Sequence, residues 1–245
     1  MKNVTICPQS ASLYEEPDSK FYRFKRKLTL KPVLKEIRKI VKKNQAFSLL
    51  EIGTGSGFLM TFLESEFPQA KLTGLEYDAR LVSLTKSKVK NARIVQGNAE
   101  GFDFNNETFD IIVSLQVIEH LNRPELMLSS VRKHLKHGGI FIFTTPNLSS
   151  YSARVMKGKW HAHREDHVSL KKFSEWKSFV EKNRFTSIYC GSTFFTGIPV
   201  LNKFPLGIIN WGLLFLIGNM RWKYGESFMG IFKLSYNKGK NNANG

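Results

Sequence analysis

The chain has 245 residues, 42% of them hydrophobic, and 37 Lys and Arg against 20 Asp and Glu give a formal net charge of +17. That length suits one enlarged domain with an ordinary core, and two distant cysteines, Cys7 and Cys190, exclude a disulfide framework and a cysteine metal cluster. No apolar leader follows Met1, and the longest apolar run, 206–218, is broken by Asn210 and too short to cross a bilayer, so the expected location is cytoplasmic.

In chain order, residues 1–28 are expected to be an irregular segment. From Thr29 to Lys43 the apolar positions Leu30, Val33, Leu34, Ile37, Ile40 and Val41 recur at helical spacing. An alternation follows. Phe47–Gly53 is a buried strand, Gly57–Phe67 a helix stopped by Pro68, Lys71–Tyr77 a strand and Ala79–Lys90 a helix. Ala92–Gln96 and Phe109–Gln116 are strands, the second continuously apolar as in parallel sheets. Pro124–His137 is a helix closed by Gly138 and Gly139, and Ile140–Thr145 a strand. Beyond these, Ser169–Asn183 is helical, Thr186–Tyr189 a short strand and Phe228–Tyr236 a late strand. Strands alternating with helices predict a doubly wound α/β fold with a mostly parallel sheet.

The expected organisation is a core at 29–192, an apolar lid or insertion at 193–227, a final core strand at 228–238 and a flexible tail at 239–245. The basic excess lies outside the central block. Residues 44–153 carry 10 basic and 11 acidic side chains, residues 1–43 carry 12 and 4, and residues 154–245 carry 15 and 5. Flanks of that kind attract anionic partners.

The strongest local signal is Glu51-Ile52-Gly53-Thr54-Gly55-Ser56-Gly57-Phe58. A buried strand enters three alternate glycines and then a helix, whose free N–H groups suit an anion such as a carboxylate. Phe58 stands where a dinucleotide-binding loop would need its third glycine, which argues against a pyrophosphate ligand. The next strand ends at Glu76-Tyr77-Asp78, where the Glu76 carboxylate can accept bonds from two ribose hydroxyls. Asp78 is placed to cap the following helix. Asn98 can bond an adenine edge, and Ser114–Leu121 leaves the fourth strand. All four segments fall at carboxyl ends of strands, where open α/β sheets bind ligands.

On these segments, together with Gly97-Asn98-Ala99-Glu100, Phe109–Leu121 and Gly138–Asn147, the chain resembles the class I S-adenosylmethionine (SAM)-dependent methyltransferases over roughly residues 30–190. The resemblance implies an enzyme with SAM as cofactor and a Rossmann-like, seven-stranded sheet whose last strand is antiparallel. It also implies that Glu51, Gly53, Gly55 and Gly57 pass the methionyl portion and Glu76 and Tyr77 meet the ribose. Asn98 and Ala99 would border adenine, and Leu115 and Gln116 the methionine side. Asn98 departs from the family's frequent Asp, but its amide still offers an acceptor.

Past the fifth strand, Trp160-His161-Ala162-His163-Arg164-Glu165-Asp166-His167 holds three histidines. The segment around Asp166-His167-Val168 and Phe173-Ser174-Glu175-Trp176 resembles methyltransferases of bacterial surface-polysaccharide and natural-product clusters. His167 is the preferred general base, with His163 second, for O-methylation of a small-molecule, sugar or lipid-linked acceptor. His120 is expected to pack and fix its loop. His161, His163 and Asp166 match no metal-ligand spacing, and no metal is expected.

Arg154, Lys157, Lys159 and Arg164 would favour an anionic acceptor. The 206–220 stretch, between Lys203 and Arg221-Trp222-Lys223, suits a peripheral membrane contact, a buried lid or a homodimer face. The rival readings are a nucleic-acid methyltransferase, disfavoured because Gln116-Val117-Ile118-Glu119 replaces a base-methylation motif, and a non-catalytic binding module with a SAM fold.

Overall fold

The computed structural model describes residues 20–41, 45–194, 196–203 and 205–235. The expected irregular segment and tail therefore fall largely outside the described residues, at 1–19 and 236–245. Within them, helix α1 spans Lys20–Ile40, so residues 20–28 are helical and not irregular.

The alternation then appears as expected. It runs β1 (Ser48–Ile52), α2 (Phe58–Glu66), β2 (Lys71–Glu76), α3 (Ala79–Lys88), β3 (Arg93–Gln96), β4 (Phe109–Leu115), α4 (Pro124–His134) and β5 (Leu135–Pro146). After these come α5 (Tyr151–Met156), α6 (Phe173–Lys182), β6 (Phe185–Thr193), α7 (Leu206–Leu216), β7 (Asn219–Met220) and β8 (Ser227–Leu234).

One sheet holds the strands in the order β3-β2-β1-β4-β5-β8-β6-β7. Strands β1 to β5 are parallel, and β8 enters antiparallel between β5 and β6. The sheet has eight strands, one more than expected. The addition is the two-residue β7, which pairs with the end of β6 as the insertion returns.

The helix expected to reach His137 stops at His134. Gly138 has φ of +78°, but it lies within β5 and caps nothing. The register explains it. Phe109 pairs with Leu135 and Ile111 with Ile140, so the 136–139 stretch is extra chain bulging from β5 opposite one residue of β4.

Strand periodicity divides the core between the two faces of the sheet. Leu49, Ile111, Val113, Ile142, Met229 and Ile231 face Leu30, Val33, Leu34 and Ile37 of α1 and Leu59, Met60 and Leu63 of α2. Their neighbours Leu50, Ile112, Phe141, Phe143, Phe228 and Phe232 face Met127, Leu128 and Val131 of α4 and Trp176 and Val180 of α6. Both faces are covered, as a parallel sheet requires.

Phe143 sits at the centre of the second layer, fully buried. Its ring centroid is 5.4 Å from Phe141, 5.3 Å from Phe228, 5.8 Å from Phe232 and 6.0 Å from Trp176. Phe143→Ala is expected to cost about 3–5 kcal/mol of stability by opening a cavity against four rings. Urea denaturation checks this, and a loss below about 1 kcal/mol would contradict the packing.

Candidate functional site

The C-terminal ends of β1, β2, β3 and β4 meet around the glycine loop. Gly53, Gly55 and Gly57 all have positive φ, at +75°, +53° and +79°. Substitution meets a different limit at each. A Cβ on Gly53 would overlap Val117 Cγ2, and one on Gly57 would lie 2.9 Å from Thr85 Cγ2. At Gly55 nothing among the described residues lies within 4 Å of a Cβ placed there, so the backbone borders open space.

Glu76 closes the loop from β2. Its carboxylate accepts the Gly55 N–H through Oε2 at 2.8 Å, and the Tyr77 and Asp78 N–H groups through Oε1 at 2.8 and 3.1 Å. It is 8% exposed. Burial raises its pKa above the ordinary glutamate value, and the three backbone donors oppose that shift without cancelling it. Asp78 caps α3 as expected, its carboxylate accepting the Arg80 N–H at 2.8 Å.

Two supports had no signal in the sequence. Thr85 Oγ1 donates to the Gly55 carbonyl at 3.0 Å, and Lys88 Nζ to the Ser56 carbonyl at 2.8 Å. Both come from α3, and only their helical spacing hints that they share a face. Around the same strand ends, Thr54 Oγ1, Ser56 Oγ and Ser114 Oγ are buried without a hydrogen-bond partner among the described residues. Glu51 is buried at the end of β1.

The remaining expected contacts line the rim. Tyr77 is exposed. Asn98 is exposed, and its Oδ1 accepts the Glu100 N–H at 2.8 Å in a tight turn, while Ala99 packs against the core. Leu115 is half-buried at the end of β4. Gln116 has φ of +56° and donates its side-chain amide to Thr144 Oγ1 at 3.2 Å.

Beside the β4 end, the chain gathers a second group of side chains. Ser169 binds the segment after β4, its N–H donating to the Glu119 carbonyl at 2.9 Å and its hydroxyl to the Leu121 carbonyl at 2.7 Å. This lays the His167 ring against His120, edge to face at 4.6 Å between centroids. Burial lowers the pKa of both histidines, and for His167 the neighbouring His120 acts in the same direction.

Glu119 is fully buried there, with Oε2 accepting from Thr145 Oγ1 at 3.0 Å. Burial pushes its carboxyl up to about 8. The cluster considered from sequence separates instead. His163 is exposed, with Nδ1 at 2.8 Å from the Lys157 carbonyl, and His161 lies 3.5 Å from Glu226. Asp166 pairs with Arg164.

The insertion docks on this side through Glu226, another residue without a sequence signal. Its buried carboxylate accepts from Trp160 Nε1 at 2.6 Å, from the Gly197 N–H at 2.9 Å and from the Ser152 hydroxyl. Asn147, fully buried after β5, donates to the Lys223 and Gly225 carbonyls at 2.9 and 2.8 Å.

A family model described as a methyltransferase domain matches residues 22–189. The chain belongs to that family. Among similar proteins, the malonyl-acyl-carrier protein O-methyltransferase of Paenibacillus sp. (strain JDR-2) is 25% identical over 155 residues, covering 58% of this chain and 56% of that protein. The enzyme of the same description from Priestia megaterium (strain DSM 319 / IMG 1521) is 30% identical over 104 residues, covering 42% and 38%. The chain thus spans about half the length, or less, of these relatives. A solved S-adenosylmethionine-dependent methyltransferase from Clostridium acetobutylicum ATCC 824 shares the fold, with a TM-score of 0.62 at 14% identity over 93% of this chain and 98% of its own.

Glu226 ties the insertion to the rest of the domain, which makes a direct prediction. Glu226→Ala orphans the buried Trp160 N–H, at about 1–3 kcal/mol per lost partner. Denaturation should show a loss of about 2 kcal/mol, and limited proteolysis should cut faster between 193 and 227. Unchanged proteolysis would mean the insertion docks by other contacts.

Proposed function

We propose that the protein transfers the methyl group of SAM to an oxygen of a small, sugar or lipid-linked acceptor with anionic character. The observation that carries this reading is the Glu76 carboxylate, buried and bonded to the Gly55 N–H of the glycine loop. Bound SAM supplies an electrophilic methyl on a sulfonium. The residues present fit it. Gly55 leaves open space for a close backbone approach, and three hydroxyls at the strand ends lack partners among the described residues.

In this reading Gly53, Gly55 and Gly57 pass the methionyl portion, with Glu51 beneath. Glu76 holds the ribose hydroxyls, and Tyr77 covers them. Asn98 and Ala99 border adenine, and Leu115 and Gln116 the methionine side. His167 meets the acceptor oxygen and takes its proton, and His120 orients it. His163 and the basic side chains Arg154, Lys157 and Lys159 flank the approach. Support for an oxygen acceptor comes from the relatives' description as O-methyltransferases.

Calorimetry with SAM tests the cofactor half. Glu76→Ala should weaken SAM on the order of 100-fold, since two hydrogen bonds to a charged group are lost. His167→Ala should leave SAM affinity near the parent value and lower turnover. SAM affinity should also fall on acidification, because the protonated carboxyl can no longer accept from both hydroxyls. The fall should begin at higher pH than an exposed glutamate would give, in keeping with the raised pKa of Glu76. An unchanged affinity in Glu76→Ala would remove the ribose assignment.

A specific observation favours peripheral membrane contact. Helix α7 leaves Ile208 and Leu216 65% and 78% exposed, alongside Ile209 and Phe215. Lys203, Arg221 and Lys223 flank it, and Lys31 of α1 lies 4.2 Å over the Phe215 ring. No helix among the described residues is long and apolar enough to cross a membrane. An apolar face within a basic rim suits an anionic lipid surface. The full chain should sediment with phosphatidylserine vesicles, less so as salt rises. Ile208→Asp with Leu216→Asp should weaken this tenfold or more, each site losing about 1.5–3 kcal/mol of burial. Equal sedimentation of parent and variant would exclude the α7 face.

A further inference from the structure

Glu119, His120 and His167 each offer one ligand atom, and those atoms lie within 4.8 Å of one another. We propose that these three side chains form a binding site for a divalent transition-metal cation, zinc in the first instance, beside the carboxyl end of β4. The inference deepens the methyltransferase reading and rests on it for the site's location.

Three independent features point the same way. First, both rings are anchored at Nδ1. His120 Nδ1 lies 3.0 Å from the Asp166 carbonyl and His167 Nδ1 2.8 Å from the Ala162 carbonyl. A carbonyl can only accept, so the proton of each neutral ring sits on Nδ1 and the Nε2 lone pair remains for a ligand. Metal-bound histidines are oriented by this kind of second bond.

Second, Glu119 is fully buried, and its Oε1 has no hydrogen-bond partner among the described residues. Its other oxygen is fixed by Thr145. A buried carboxylate oxygen left without a donor calls for one, and a cation satisfies it directly. Third, the donor set suits the metal. Two imidazoles and one carboxylate bind zinc while leaving a coordination position open. Asp166 Oδ2, 3.3 Å from His120 Nδ1, adds negative charge behind the ring.

A cation here changes how an acceptor oxygen is handled. In the metal-free chain His167 keeps the role of base given above; with zinc bound, its Nε2 would be taken, and the cation's charge would instead hold and acidify the oxygen in the open position. The group lies close to the cofactor crevice, since Val117, two residues before Glu119, packs against Gly53.

The test uses the full chain, stripped by a chelator and titrated with Zn²⁺ alone in competition with a chromophoric chelator. One zinc per chain is expected. Glu119→Gln and His167→Ala should each weaken it by more than about 100-fold, beyond the 10–100-fold typical of outer-sphere changes. Thr145→Val, which removes only the donor to Glu119, should weaken it by about tenfold. SAM calorimetry on the same preparations separates the two claims. A parent chain that binds SAM but takes up no zinc overturns the metal site and leaves the cofactor reading standing. Zinc held equally by parent and variants, at unchanged thermal midpoints, overturns the assignment to these residues. Failure to bind SAM sinks the reading on which the inference rests.

Discussion

The site is organised by one carboxylate that the fold buries and only partly compensates. Taking a glutamate out of water costs several kcal/mol, and Glu76 recovers part of it from three backbone N–H groups. Its pKa is nevertheless raised, so desolvation outweighs those donors. A group in that state gains from any further donor, and paired hydroxyls on a rigid ring supply two. The bond from Gly55 also couples β2 to the loop after β1. The conformation of the glycine turn and the position of the Glu76 carboxylate, the proposed ribose ligand, are therefore one structural decision.

The sheet explains why these groups converge. Parallel strands β1 to β4 all deliver their carboxyl ends to one edge, so residues far apart in sequence become neighbours there. Alternate side chains of each strand fill two separate layers, one under α1 and α2, the other under α4 and α6. The antiparallel β8 adds to both layers, with Met229 and Ile231 on one face and Phe228 and Phe232 on the other. The glycine loop at the carboxyl ends of these strands is the place where the backbone opens.

What could be read from the sequence was what is local. The glycine loop, the acid ending the next strand, the capping Asp78 and the order of strands and helices each reside in a few consecutive residues, and each lies where expected. The misplaced boundaries have physical causes. Gly138 has the positive φ of a helix cap but belongs to a bulge in β5, and only the pairing of Phe109 with Leu135 reveals it. Helix α1 extends back to Lys20 through a basic stretch with few apolar positions to mark a period. Contacts between distant segments were not legible at all. Nothing in the order of residues says that Ser169 would tie the 160s loop to Glu119, or that Glu226 would gather Trp160, Gly197 and Ser152.

That difference separates the two halves of the site physically. The cofactor half is built from consecutive turns whose bonds are mainly backbone to backbone or backbone to a nearby acid, so its geometry follows from the strands themselves. The other half, the acceptor side in the proposed function, is built from side chains of three separate segments: the turn after β4, the loop before α6 and the insertion after β6. They are held together by buried polar contacts at Glu119, Asn147 and Glu226. The carboxyl buried at Glu119 is the exception in chemical character, because burial holds it well above the ordinary glutamate range. It stands at the junction of the two halves, beside the carboxyl end of β4.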